Sequence, residues 1–228
     1  PNTLFLPSGY NEVIAVAVSD FQDKRAAFSN YGIRIDVTAP GVDILSLRSA
    51  SAGLSFNPSY LVPPDDLNAK YVRFSGTSMS APHVSGACAL LLSKSPDFNN
   101  EQIRQTLRRN ADDIGNRDWD IYTGDGRLNV LRSLSNPIIT TSKFISPENG
   151  VYVKGTVEFT SSISMPYTLY YGQGVSPNNW TKIGDFAPGQ DVSWDTSIPD
   201  GVYTIKMSTQ DGLSSDRLLV YAVNSEHT

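Results

Sequence analysis

The spacing of apolar residues changes along the chain, from helical intervals in its first part to strict alternation in its second part. In the first part, apolar residues recur at i, i+3, i+4 and i+7 and one further residue widens the stripe: Val84, Ala87, Cys88, Leu91 and Leu92. This period predicts a helix with one buried face. Gly86 within it predicts close packing against another element. Pro96 predicts that the helix ends by about Ser95, because a residue before proline disfavours the helical conformation.

A second helix is predicted between the asparagines at 99 or 100 and about residue 110. Asn99 or Asn100 can cap its first turn through a side-chain oxygen. Ile103 and Leu107 are four residues apart and define its inner face.

After Pro137 the chain has short alternating segments rich in β-branched and aromatic residues, separated by turn residues. Roughly seven strands in about 90 residues, without a helical stretch, predict an all-β sandwich of two sheets. Ser135-Asn136-Pro137 is the predicted boundary, which divides the chain into residues 1–135 and 137–228. The segments are Val151–Val153, Gly155–Phe159, Tyr167–Tyr171, Trp180–Ile183, Val192–Trp194, Val202–Met207 and Arg217–Tyr221.

Composition and charge argue against nucleic-acid binding, membrane-spanning and disulfide-rich classes of protein. The 228 residues carry a net charge of −5 and no basic run, which disfavours binding to nucleic acid. No apolar stretch reaches the length of about 18 residues that a membrane span needs. The single cysteine excludes a disulfide framework within the chain.

The candidate chemistry lies in one segment, Phe74-Ser75-Gly76-Thr77-Ser78-Met79-Ser80-Ala81-Pro82-His83-Val84-Ser85-Gly86. Gly76 and Thr77 form a tight approach from an extended segment and place Ser78 at the start of the first helix. Unpaired N–H groups and the positive end of the dipole at a helix start favour negative charge. A serine there can attack a carbonyl while its own N–H stabilises the oxyanion. The alternative is a Ser/Thr helix cap with a proline in the first turn.

His83 is not expected to be the general base for this serine. It lies five residues after Ser78, which is about 140° around a helix and roughly 7.5 Å along it. A base must come within about 3 Å of the hydroxyl that it deprotonates. We therefore expect His83 to form a structural hydrogen bond. The other histidine, His227, is next to the chain end.

The run from Gly76 to Gly86 resembles the nucleophile motif of the subtilisin-like serine peptidases (subtilases), G-T-S-M-x-x-P-H-V-x-G. The resemblance begins at about Thr3, includes a buried strand within Tyr10–Val18, and ends at Gly124–Val130. It implies the C-terminal part of an α/β parallel-sheet domain, and a serine endopeptidase that acts on proteins or peptides. It implies no cofactor for the chemistry, and a location outside the cell or in the cell envelope.

The rest of the family's catalytic machinery is not found in these residues. The family's triad runs Asp, His, Ser along the chain, and no D-S-G, D-T-G or H-G-T-H segment occurs here. Asp20, Asp36 and Asp43 have no histidine to orient. We therefore expect the catalytic Asp and His and the oxyanion Asn to come from upstream residues. The N-terminal half of the same domain is then a required partner, and this chain alone should be inactive.

Further roles carry over from the family residue by residue. Thr77 would support the oxyanion, and Phe5 falls where the family lines the floor of its main specificity pocket. A weak Ca²⁺ or Na⁺ site would use the carbonyls of Ser8, Tyr10 and Val13 and the carboxylate of Asp36, since hard cations prefer oxygen ligands. Alternatively, Asp36 merely ends a strand or caps a turn.

Two other interpretations remain open at this point. One is a non-catalytic binding or adhesion protein, with the peptidase part as a scaffold and the β-sandwich as the binding module. The other is a processed fragment that acts only with its N-terminal half. The β segments resemble Ig-like or fibronectin-III-like modules. Trp180 and Trp194 could line a carbohydrate platform, although packing is the favoured role.

Overall fold

A computed structural model describes residues 7–49, 57–64, 66 and 68–225. The first part contains five strands, a 3₁₀ turn and three helices: β1 (Ala15–Ser19), β2 (Ile35–Pro40), β3 (Ile44–Leu47), the turn Pro58–Tyr60, β4 (Leu61–Val62), β5 (Tyr71–Phe74), α1 (Thr77–Lys94), α2 (Asn100–Arg109) and α3 (Val130–Ser135). The second part contains eight strands: β6 (Ser142–Ser146), β7 (Val151–Val153), β8 (Thr156–Ile163), β9 (Tyr167–Gln173), β10 (Thr181–Phe186), β11 (Val192–Asp195), β12 (Gly201–Thr209) and β13 (Ser215–Ala222).

The first part is built around a parallel pair of strands, β1 and β2, with Val18 opposite Ala39. The buried strand is shorter than the predicted Tyr10–Val18, because β1 begins only at Ala15. The preceding residues form turns, in which the Tyr10 N–H donates to Pro7 O and the Val13 N–H donates to Tyr10 O. Tyr10 is therefore exposed rather than buried.

Helix α1 ends at Lys94, as Pro96 predicted, and its stripe of Val84, Ala87 and Leu91 packs against β2. Two expectations about this helix are wrong. Leu92 lies on the exposed face. A Cβ added at Gly86 would have nothing within 4 Å among the described residues. The predicted close packing at Gly86 is therefore not found among the described residues, because the strands cover only one side of α1.

A three-stranded antiparallel sheet with the order β3-β5-β4 leads into α1. Leu61 and Val72 are its buried residues, and they form a small core with Ala69. The other side of β3 is apolar and exposed: Leu45 and Leu47 are among the exposed large hydrophobic residues.

The second part consists of two sheets, with the orders β10-β9-β12-β13-β7 and β11-β8-β6. The pairings are antiparallel except for the parallel pair β13–β7. Side chains from both sheets form one buried cluster that includes Phe159, Ile205 and Trp194, so the sheets pack against each other. Each of the seven predicted strands overlaps an observed strand, whereas β6 was not predicted. Trp194 is a core residue.

Helix α2 joins the two parts through a buried polar face. Its capping box, formed by Asn99 and Gln102, agrees with the predicted start. Gln105 Nε2 donates to Ser142 O and Ser215 O across the junction. Thr106 Oγ1 accepts the N–H of Ile138. The second part is therefore docked on α2.

An ion pair between Arg108 and Asp125 lies within this junction, with 2.6 Å between Arg108 Nε and Asp125 Oδ2. Burial disfavours the charge on Arg108, but Asp125, Asp36 and Asp216 outweigh it and raise the arginine pKa. Burial likewise opposes the charge on Asp125, but the positive charges of Arg108 and Arg217 outweigh it and hold the carboxyl pKa below its usual range.

Exchanging Asp125 for asparagine tests this ion pair, because it leaves the buried Arg108 without its carboxylate. We expect Asp125→Asn to lower the free energy of unfolding at neutral pH by about 3 kcal/mol. The folded-state pKa of Asp125 is below the unfolded value. Its stabilisation is therefore complete above about pH 5 and is lost as the pH falls through the folded-state pKa. Urea unfolding from neutral to acid pH should show a shallower decline for the variant.

Asp185→Asn is the matched control, because Asp185 also pairs with a cation, Lys182 at 2.6 Å, but both side chains are about half exposed. Exposed pairs contribute little to stability, so the control should unfold almost like the unmodified chain. Equal losses in the two variants would show that the buried pair has no special contribution.

Candidate active site

Ser78 lies at the start of α1, directly after the strand β5 that delivers it. The segment turns at Gly76, which caps the helix in an extended conformation, and Ser78 is the second helical residue. Its side chain is exposed. Within the first turn, the Met79 N–H donates to Gly76 O at 3.0 Å. The first N–H groups of a helix have no intrahelical acceptor, so Ser78 sits where a developing negative charge is stabilised.

Two hydrogen bonds fix this helix start on the carboxyl end of β2. The Gly76 N–H donates to Gly41 O at 2.8 Å. Ser80 Oγ, which is fully buried, donates to Ala39 O at 2.9 Å. Gly41 in turn donates its N–H to Ser19 O at the end of β1. Ser78 is thereby held above the carboxyl ends of two parallel strands, where sites of open α/β sheets are usually found.

The start of α1 passes so close to the end of β2 that no side chain fits at residue 41. A Cβ added to Gly41 would lie 2.1 Å from Ser80 Oγ and 2.8 Å from Gly76 O. The close approach of the two backbones therefore requires glycine.

A polar link also ties the strand before the serine to the chain after β2. Ser75 Oγ accepts the Asp43 N–H at 2.9 Å. The Asp43 carboxylate pairs with Arg73 Nη1 at 2.9 Å, although both side chains are largely exposed. The exposed ion pair contributes little energy, and its effect is to keep the segment before Gly76 in register with β3.

His83 forms a hydrogen bond within its own helix. Its Nδ1 lies 2.8 Å from Met79 O. A carbonyl only accepts hydrogen bonds, so Nδ1 carries the proton and donates it to the previous turn of the helix. The expected structural hydrogen bond is thus present, although the imidazole is on the exposed face. His227 lies outside the described residues.

The three aspartates considered as triad members all have other partners. Asp20 Oδ1 accepts the N–H groups of Gln22 and Lys24 and closes a turn. Asp43 pairs with Arg73, and Asp36 is buried beside arginines. Over the part of the chain that the structure describes, Ser78 therefore has no histidine–aspartate pair beside it. Thr77 is exposed next to Ser78, and Phe5 lies outside the described residues.

The residues of the expected cation site do not fit a cation as they are placed. Asp36 Oδ2 accepts the Ala15 N–H at 2.9 Å. Asp36 Oδ1 lies 3.8 Å from Arg104 Nη1 and 3.9 Å from Arg108 Nε. Two guanidinium groups at the carboxylate would repel a metal ion. The role of Asp36 in a cation site stays a prediction from the resemblance.

The carbonyl groups nearby are also engaged by nitrogen donors. Tyr10 O accepts the Val13 N–H at 3.2 Å and Arg34 Nη2 at 3.3 Å. Arg104 Nη2 donates to Asn11 O at 3.0 Å. Ser8 and Val13 are half-buried in the same turn segment. In the described ranges, no group of three or more His, Cys, Asp or Glu side chains could hold a metal ion.

Sequence reasoning missed Ser80 and Gly41 as residues that position the nucleophile. A signal for Ser80 existed, because it continues the buried stripe at i−4 from Val84 and is a polar residue on an apolar face. A buried hydroxyl needs an acceptor, which the end of β2 supplies. No local pattern indicated how close Gly41 comes to the helix start.

Comparisons with known proteins identify the family of the first part of the chain. The model of the Subtilase family (Peptidase S8) matches residues 2–130. A thermophilic serine proteinase of Bacillus sp. (strain AK1) is 40% identical over 134 residues, which are 59% of this chain and 28% of that protein. Subtilisin DY of Bacillus licheniformis is 36% identical over 129 residues, which are 57% of this chain and 39% of that protein.

A solved structure extends the likeness beyond the matched family region. The crystal structure of fervidolysin from Fervidobacterium pennivorans, a keratinolytic enzyme related to subtilisin, superposes with a TM-score of 0.53 at 28% identity. The superposition covers 89% of this chain and 29% of that one. The chain belongs to the subtilase family, and it spans well under half the length of these relatives.

Adding a methyl group at residue 41 tests the crossing below Ser78. We expect Gly41→Ala to lower the free energy of unfolding by about 2 kcal/mol, because the Cβ would overlap with Ser80 Oγ and main-chain oxygen. Gly86→Ala is the matched control: its Cβ meets open space, and alanine is favoured over glycine in a helix interior by about 1 kcal/mol. Urea unfolding should give effects of opposite sign, and two equal effects would refute the close crossing.

Calcium titration tests the cation site against the ion pairs at Asp36. With guanidinium groups beside the carboxylate, we expect millimolar calcium to leave the melting temperature of the chain unchanged. A ligand that binds only the folded state raises that temperature. A calcium-dependent rise that disappears in Asp36→Asn but persists in the exposed control Asp97→Asn would establish the cation site and contradict our assignment.

Proposed function

We propose that this chain is the nucleophile-bearing part of a serine endopeptidase that hydrolyses peptide bonds through Ser78. The observation that carries this proposal is the exposed Ser78 at a helix start that hydrogen bonds to Gly41 O and from Ser80 Oγ hold on the end of β2. An undamaged motif from Ser75 to Gly86 and membership of the subtilase family support it.

In this mechanism Ser78 Oγ attacks the scissile carbonyl carbon, and the carbonyl oxygen becomes an oxyanion. The Oγ proton passes to a histidine from upstream residues, which later gives it to the leaving amine. The Ser78 N–H and an upstream asparagine hold the oxyanion, supported by Thr77. Water then releases the acyl group from Ser78 and restores the hydroxyl. Phe5 is proposed to narrow the main specificity pocket.

The N-terminal half of the same peptidase domain is the proposed partner. Large apolar side chains are exposed on the elements around the serine, namely Leu45, Leu47, Tyr71, Leu90 and Leu92. Exposed apolar surface of this kind marks an interaction site. The missing half would bring the histidine and aspartate and cover these residues together.

We further propose that residues 137–228 form an Ig-like or fibronectin-III-like β-sandwich module. The single buried cluster between two sheets supports this, as does a superposition on fervidolysin that extends beyond the family region. A protein or peptide substrate and a location outside the cell or in the cell envelope follow from the family. No helix among the described residues is long and apolar enough to cross a membrane.

Labelling with a fluorophosphonate probe tests the proposed function. The isolated chain should react poorly, because removing the base of such a triad lowers the rate by about a thousandfold or more. Co-expression with the preceding residues of its gene should restore labelling and peptide hydrolysis. Both should disappear in Ser78→Ala.

Ser85→Ala is the control, because Ser85 is exposed on the same helix and its Oγ donates to Ala81 O. It should react like the unmodified protein. Strong labelling of the isolated chain at Ser78 would contradict the need for an upstream base. A reconstituted protein that folds but neither labels nor hydrolyses peptides would favour a non-catalytic binding or adhesion protein.

A further inference from the structure

A cavity of about 940 Å³ lies between the peptidase part and the β module. Its walls include Arg109, Arg117 and Trp119 on one side and Trp180, Lys206 and Arg217 on the other. This volume falls in the range of small-molecule sites in proteins. The residues that line the cavity are distant in sequence from the Ser78 motif, and none of them takes part in the proposed peptidase mechanism.

Two cationic side chains of the β module lie next to each other at the wall of this cavity. Lys206 on β12 is the direct partner of Arg217 on β13 in the antiparallel register. Like charges placed opposite each other on neighbouring strands are destabilising. Burial, together with the charge of Arg217, lowers the pKa of Lys206, although Asp118 and Asp125 act in the opposite direction. Burial also lowers the pKa of Arg217 to about 10.

Aromatic rings hold both cations in place. The Arg217 guanidinium lies 4.7 Å from the centre of the Trp119 ring. Lys206 Nζ lies 5.4 Å from the centre of the Trp180 ring. Contacts of this kind stabilise a cation without neutralising it. They position two positive charges side by side in a partly buried space.

Two donor nitrogens of Arg217 have no acceptor in the part of the chain that the structure describes. Nε and Nη1 of Arg217 are buried, and neither has a hydrogen-bond partner among the described residues. A buried donor that is left unpaired costs free energy, so the protein compensates the charge of Arg217 incompletely.

The carboxylates around the cavity are mostly engaged elsewhere. Asp125 pairs with Arg108. Asp120 accepts main-chain N–H groups, including those of Tyr122 and Thr123. Asp113 Oδ2 accepts the N–H of Asp118. Asp118 also lines the cavity and favours the charged forms of Lys206 and Arg217. Among the described residues, the lining has five cationic side chains, Arg108, Arg109, Arg117, Lys206 and Arg217, against four aspartates, so positive charge is in excess.

We propose that this cavity binds an oxyanion, a carboxylate, sulfate or phosphate group of a small ligand, between Lys206 and Arg217. The negative charge of the ligand lies beside the side chains of Lys206 and Arg217 that line the cavity and relieves the repulsion between these two cations. Because the cavity walls come from both parts of the chain, binding also stabilises the docking of the β module on α2.

Calorimetric titration of the whole chain tests this site, with tryptophan fluorescence as a second measurement. Sodium sulfate, sodium phosphate and sodium glutamate are titrated separately at constant ionic strength maintained with sodium chloride. At least one oxyanion should bind saturably below about 10 mM. A preference for glutamate identifies a carboxylate ligand, and a preference for sulfate or phosphate identifies a tetrahedral one.

Two variants and one control locate the binding. Lys206→Gln and Arg217→Gln should each weaken binding about tenfold or more, because each removes charge-assisted hydrogen bonds. Lys154→Gln removes an exposed lysine of the same module outside the cavity and should bind like the unmodified chain. If circular dichroism shows that Arg217→Gln does not fold, Lys206→Gln alone decides. Saturable binding by none of the anions, or equal affinity in the cavity variants and the control, would overturn the proposal.

Discussion

The hydrogen bond from the Gly76 N–H to Gly41 O is the contact on which the candidate active site depends. It joins the start of α1 to the end of β2, and the buried hydroxyl of Ser80 repeats the connection one turn later on Ala39. These two hydrogen bonds fix the position and orientation of the helix start relative to the sheet. The position of Ser78, two residues beyond Gly76, is therefore determined by the sheet.

A second constraint is the charge on the buried face of α2. Arg104 and Arg108 both approach Asp36, and Arg108 also pairs with Asp125. Buried charges are tolerated only with partners. The arginines of α2 must therefore stay in contact with Asp36 on β2 and with Asp125 in the 124–126 turn, which fixes α2 between these two segments. Gln105 extends the same face to the β module. The second part is thus coupled to the strands of the peptidase part through one helix.

Periodicity predicted the elements that bury apolar stripes or alternate strictly. The face of α1 around Val84 and Leu91 and the central strands β9, β12 and β13 belong to this class. Periodicity failed for polar residues: the burial of Arg108 depends on Asp36 and Asp125, which are distant in sequence, and no local signal shows those partners. β6 was missed because Ser142–Ser146 alternates weakly.

The expected packing at Gly86 was wrong because a glycine in a helix does not show which side a neighbour occupies. The motif identified Ser78, but the supporting contact at Gly41 is non-local and required the structure.

The hydrogen bonds from Gly76 and Ser80 to the end of β2 position Ser78 for attack. The most direct measurement is the rate of fluorophosphonate labelling of Ser78 in protein reconstituted with its N-terminal half, compared between Ser80→Ala and Ser85→Ala. Probe concentration is varied so that binding and reaction are separated, and the folded fraction is measured independently. We expect Ser80→Ala to lower the maximal labelling rate of the folded protein and Ser85→Ala to leave it unchanged. Equal maximal rates in the two folded variants would contradict it.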